Sequence, residues 1–245
     1  MKWGFALLTA YTGVIGAFLY VLGCREPLPG THEQYTAAQW RQTLGSTMHC
    51  VAGDGVGILA GAVLSRVLGI TGPAEMILEY VLGFAFGWTI FQALFMRDMA
   101  GGSYGAALKS TFMSELLSMN LLMAGMLPTM MILRRYVPSA DNPLTPNFWF
   151  VMSMGLLVGF IVAYPMNWWL VANHLKHGMM TVRPANASAG SGMATHDHAA
   201  MSQMSHMSTT MHEGHPPRPS IAVMTVLSFV ALAAGFALAV LLAPR

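Results

Sequence analysis

Residues 193–215, MATHDHAAMSQMSHMSTTMHEGH, carry five Met and five His, with no Lys, Arg, Cys, Leu, Val or Ile. Thioether sulfur is soft, polarisable and uncharged, which suits Cu(I) and, by the same softness, Ag(I). Imidazole suits Cu(II), Zn and Ni as well. Met201, Met204 and Met207 stand three apart with His206 among them, and His196 and His198 flank Asp197. Met193, Met211, His212 and His215 complete the run. In a flexible chain this spacing lets two or three ligands close on one ion without strain. The alternative is a low-complexity linker, but a linker chosen only for flexibility needs Gly and Ser. Five of the nine His and five of the 22 Met fall in this stretch, a composition that favours metal binding.

A second group lies within apolar segments. "TMHCVAGDGVGILAG" places His49, Cys50 and Asp54 in one apolar run. At about 100° per residue Cys50 and Asp54 are near neighbours, with His49 on the flank of the same face. Gly53, Gly57 and Gly61 form a small-xxx-small ladder, which presses such a face against another helix. A mid-membrane carboxyl costs about 2.5–3.5 kcal/mol on insertion scales, so each is a functional candidate; the plainer role for Asp54 is to bond a neighbouring helix.

Further on, Glu115, Met119, Met123, Met126 and Met130 fall on a single helical stripe. Two Met-x-x-x-Met pairs there put thioethers one turn apart, and Pro128 frees a carbonyl within the stripe as a kink or an extra ligand. Packing is the competing explanation, because Met is a flexible core filler. "YPMNWWLVANHLKHGMM" adds Asn167, Asn173 and the pair His174 and His177. Its Trp168 and Trp169 read as an interfacial belt, with Lys176 snorkelling beyond.

The elements that must position these groups are membrane helices. Of the 245 residues 55% are apolar and only 9% charged, against roughly 25% charged in a soluble domain. Six runs reach the length of about 20 residues that crosses a bilayer: 3–23, 44–70, 76–96, 111–133, 148–172 and 221–243. The expected class is therefore an all-α polytopic bundle. It divides into a first span and polar connection over 1–43, a four-helix core over 44–183, a Met/His-rich disordered loop over 184–219 and a last span over 220–245. Lys2 before an apolar run also fits a signal peptide, but the run is too long and lacks a small-x-small cleavage site. The net charge of +2 gives no sign of nucleic acid, and two Cys make no disulfide framework.

The Lys/Arg split between the two faces, five against seven, leans weakly to a cytoplasmic Met/His loop. Ligand chemistry leans to a periplasmic one, because thioethers and imidazoles survive oxidising compartments. The starts of spans two and four and the end of span five share the face of that loop. His49, Cys50 and Glu115 are expected roughly 8–10 Å below it and Met119 about 15 Å.

The stretches "TMHCVAGDGVG", "FAFGW", "YPMNWWLV" and "KHGMM" resemble a bacterial family of small membrane proteins, the DUF4396-like domain of unknown function. The resemblance runs from about residue 45 to 183 and implies His49, Cys50 and the Asn-Trp-Leu end of span five as shared marks. It also implies proximity to copper-resistance functions in some members, and no activity. Met-x-x-x-Met beside an exposed Met/His segment is similar in ligand chemistry to eukaryotic copper importers, which differ in span number and order.

The expected function is an inner-membrane copper or silver handling protein. Its loop would gather the ion, with zinc as a further fit, and hand it to or across a site at His49, Cys50, Glu115, Met119 and Met123, with a periplasmic copper carrier as partner. A haem protein using His49 and His174, and a structural protein built on the Gly ladder, are the alternatives. No Ser/His/Asp or paired-carboxylate arrangement argues for an enzyme, and no nucleotide-binding loop argues for ATP-driven export.

Overall fold

The computed structural model describes residues 6, 9–10, 12–24, 35, 37–94, 97, 102–176 and 217–243. The described residues form helices and no strand. In chain order these are α1 (Val14–Cys24), α2 (Gln39–Leu68), α3 (Pro73–Phe86), α4 (Tyr104–Tyr136), α5 (Pro146–Ala172) and α6 (Ile221–Leu242). A π-helical segment, Gly87–Ala93, continues α3. Five helices are long and apolar enough to cross a membrane, counting α3 with its π segment. The protein is an all-α, multi-pass membrane protein.

Local chemistry sets the helix ends. Pro73 and Pro146 open α3 and α5 at positions where a missing N–H costs nothing. Ser103 and Ser220 cap α4 and α6, accepting from the N–H groups of Ala106 and Val223. Gly69 ends α2 in the left-handed region at φ 68°. Helices α2 and α4 begin earlier than their hydropathy predicts because polar first turns remain helical. Cys50 and Glu115 therefore lie eleven residues into α2 and α4, about 16 Å from the helix starts.

The Gly ladder packs α2 on α3. A Cβ at Gly57 would strike the Leu82 carbonyl, and one at Gly61 would meet the Glu79 backbone at 2.9 Å. Gly53 faces the Phe91 ring instead, so the ladder's last rung meets the π segment. Close backbone approach through small residues is how membrane helices gain contact when lipid offers no hydrophobic drive. Helix α6 docks on α4, where Gly235 sits against Ala124 and Asn120 Nδ2 donates to Ser228 Oγ at 3.1 Å. The other face of α6 is lipid-exposed.

At the end of the bundle remote from Cys50, Arg134 pairs with Glu75 at 2.9 Å and with Asp141 at 3.3 Å, and Arg66 reaches Asp141 at 3.0 Å. This network ties α2, α3 and α4 to the loop before α5.

Candidate functional site

The site is built from two pairs spaced one helical turn apart. On α2, Cys50 and Asp54 share a face; on α4, Glu115 and Met119 do. All four side chains are fully buried. The pairs meet over α3 and its π continuation at two glycines, also one turn apart. At Gly83 a Cβ would press on the Met119 methyl and approach the Asp54 carbonyl oxygen. At Gly87 it would overlap the Asp54 carboxyl and crowd Glu115 Oε1. The two carboxyl groups thus reach the same point above Gly87.

Neighbours hold this arrangement. The Cys50 thiol donates to Glu115 Oε2 at 3.3 Å, and Gln92 Nε2 donates to Cys50 Sγ at 2.8 Å. Gln92 belongs to the π segment, whose wider turn gives it a different azimuth from a regular α-helix; such segments are rare and frequent at functional sites. From the end of α5, Lys176 Nζ lies 3.6 Å from Glu115 Oε2 and donates to Asn167 Oδ1 at 2.9 Å. Asn167 Nδ2 in turn donates to Ser118 Oγ on α4 at 2.9 Å. No N–H or O–H donor among the described residues reaches either Asp54 carboxyl oxygen or Glu115 Oε1.

Lys176 corrects the sequence reading. It does not snorkel outward but turns back into the bundle, 6% exposed. The reversal comes from His174, whose φ of 56° is left-handed, so that Leu175 and Lys176 both donate their N–H to the Leu170 carbonyl. Trp169 is likewise not an interfacial residue: it packs with Leu117, Met166 and Leu170, while Trp168 remains outside.

Not every candidate converges. His49 Nε2 lies 3.2 Å from the Phe91 carbonyl, and its ring packs against Phe91, so either metal or haem ligation through Nε2 would first break that contact. His174 makes the left-handed turn after α5 and is exposed, outside the buried site. Met119 and Met123 are both buried in the main core, and Met126 and Met130 fill the space left by Gly155 of α5. Met126 and Met130 lie at least eleven residues from Glu115, about 16 Å along the axis. The stripe therefore divides: Glu115 and Met119 reach Gly87 and Gly83 of the α3 segment, whereas Met126 and Met130 pack against Gly155 of α5. The Ala124 carbonyl, whose N–H partner Pro128 removes, lies against Gly235 of α6 instead of entering the stripe. His177, Met193, His196, His198, Met201, Met204, His206, Met207, Met211, His212 and His215 lie outside the described residues.

Gln92 and Lys176 were not identified from sequence as members of this site, and neither was the Asp54–Glu115 pair, whose members stand 61 positions apart. Glu79 was missed as well. It is 1% exposed, next to the Gly61 approach, and its Oε1 has no hydrogen-bond partner among the described residues. An acidic residue in an otherwise apolar run was the available signal. Among the described residues, no three of His, Cys, Asp and Glu are arranged to hold a metal ion.

The domain of unknown function DUF4396 matches residues 39–176, more than half of the chain. The chain belongs to this family. The matched region starts with the first residue of α2 and ends at Lys176, so it contains every residue of the polar site. It stops short of the Met/His segment and α6. No curated protein and no solved structure matches the chain.

Proposed function

We propose that this DUF4396 protein handles a soft monovalent cation, Cu(I) or Ag(I), as cargo at a membrane site made by Cys50, Asp54, Glu115 and Met119. One observation carries the reading: a thiol and two carboxyl groups from two helices meet in a buried core above Gly87, with the Met119 methyl one turn away at Gly83. A thiolate and a thioether select soft ions. The carboxyl groups supply negative charge that a bare cation in this core requires. Chain leaving the site at Lys176 runs directly into the segment bearing the Met/His run. Those thioethers and imidazoles would gather the ion at the membrane surface and pass it inward by ligand exchange. The assignment to a bacterial inner membrane, with this segment in the periplasm, belongs to the same proposal, as does a periplasmic copper carrier as donor.

A structural reading has one observation in its favour. The Lys176–Glu115 pair with its Asn167–Ser118 extension ties α4 to α5, which helix packing alone would reward.

The discriminating experiment measures copper per chain in detergent-purified protein after Cu(I) loading under reducing conditions. Wild type is compared with a deletion of residues 193–215 and with Cys50→Ala/Met119→Ala. Copper kept by the deletion and lost from the double variant supports the membrane site. Copper lost with the deletion alone makes the protein a surface chelator. Folded double variant with unchanged copper content favours the structural reading.

A further inference from the structure

Resting on that reading, we propose that the Lys176 ammonium is a built-in stand-in for the cargo cation, and that an ion enters the site only by displacing it. The position is the one a cation would take. Nζ lies 3.6 Å from Glu115 Oε2 of α4 and donates to the Asn167 amide oxygen of α5, and the same Glu115 oxygen accepts from Cys50 of α2. Its side chain is 3% exposed, and an ammonium held that deeply requires a counter-charge. The carboxyl groups that would ligate the ion are the groups that neutralise the lysine.

The backbone permits the exchange. Lys176 lies beyond the last residue of α5, in a turn made by left-handed His174 and two N–H donors sharing the Leu170 carbonyl. Swinging this turn outward breaks the bonds at Leu170, the Asn167 contact and the Glu115 pair while leaving α5 wound to Ala172. The arrangement also accounts for a site of four candidate donors in which no three of the acidic, thiol and imidazole groups are set for a metal: the resting geometry is shaped around an ammonium. With the Cys50 thiol proton passed to the Glu115 carboxylate that already accepts it, each monovalent ion bound replaces one ammonium and the core's net charge stays constant through the exchange. A site tuned in this way excludes water and hard cations when empty, because the lysine fills it.

The test compares Cu(I) affinity, by competition with a colorimetric Cu(I) chelator, for full-length wild type, Lys176→Leu and Asn167→Ala. Each is paired with its Cys50→Ala counterpart, so that the Cys50-dependent binding is isolated from the Met/His segment. Lys176→Leu keeps an apolar stem without the charge and adds no sulfur ligand of its own. Removing an internal competitor is expected to tighten the Cys50-dependent component by about tenfold or more. Asn167→Ala, which removes only one anchor of Nζ, should tighten it less. Equal or weaker affinity in both variants, each eluting as a folded species, would overturn the displacement while leaving the metal site standing. Absence of Cys50-dependent copper in every form would overturn the metal reading and this inference with it. Amine acylation gives an independent readout in wild type. Lys176 should be protected without ion and labelled after Ag(I) addition; labelling that Ag(I) leaves unchanged contradicts the exchange.

Discussion

The Lys176 ammonium and the Glu115 carboxylate lie 3.6 Å apart in the interior of the bundle, joining the end of α5 to the first half of α4. Neither charge is solvated, so each depends on the other and on the amide of Asn167. Breaking a buried pair by removing one partner typically costs about 3–5 kcal/mol, since the other charge is left uncompensated. Glu115→Gln is expected to lower unfolding stability in detergent by about that amount. The double variant Glu115→Gln/Lys176→Met should lose clearly less than the sum of the single losses. A double-mutant cycle on thermal or denaturant unfolding measures this coupling, and strict additivity would show that the two charges do not depend on one another.

Gly87 leaves the space in which the Asp54 and Glu115 carboxyl groups meet. Gly87→Ala should cost about 1–3 kcal/mol, the usual penalty for overpacking a filled core, and should remove Cys50-dependent copper. Gly105→Ala is the matched control, because its Cβ meets nothing within 4 Å. Equal unfolding midpoints for the two variants would contradict the packing described at Gly87.

The division of the methionine stripe can be read from paired substitutions. Met130→Leu is close to volume-conserving in the core beside Gly155, so it should cost less than about 1.5 kcal/mol and leave copper content unchanged. Met119→Leu should be similarly mild for stability yet lower copper at the membrane site, since only the thioether is lost. Elemental analysis of both proteins distinguishes a site from a path: equal losses would restore the continuous stripe.

Helix α6 lies outside the matched family region and is anchored to α4 through Ser228, Asn120 and the Gly235–Ala124 approach. Asn120 also accepts from the Tyr80 hydroxyl at 2.7 Å. Hydrogen bonds between membrane helices average about 0.6 kcal/mol and reach about 1.7. Ser228→Ala should therefore cost about 0.6 kcal/mol and Asn120→Ala more, because the latter strands two partners. Gly235→Leu should detach α6, seen as faster proteolysis between α5 and α6; an unchanged cleavage rate would contradict the docking.

Much of this fold was legible because its signals are local. Apolar runs located the long helices, and the Gly53–Gly57–Gly61 spacing marked the α2 face that meets α3. The i, i+4 pairs Cys50/Asp54 and Glu115/Met119 were likewise visible within their own helices. What sequence periodicity could not supply was azimuth between helices. His49, next to Cys50, turns to the Phe91 carbonyl, whereas Asp54 turns to Glu115. Gln92 was hidden because its orientation depends on a π-helical turn, which a period of 3.6 does not anticipate. Lys176 was misread because snorkelling is the common fate of an interfacial lysine; the left-handed His174 reverses the chain and sends it inward.

The central claim is that Cys50, Met119 and the carboxyl groups of Asp54 and Glu115 form one soft-cation site in the membrane core. X-ray absorption at the copper edge, on Cu(I)-loaded protein lacking residues 193–215, tests it most directly. The account predicts a mixed shell of sulfur and oxygen that loses sulfur in both Cys50→Ala and Met119→Ala. A shell that neither substitution alters, or no retained copper, would contradict it.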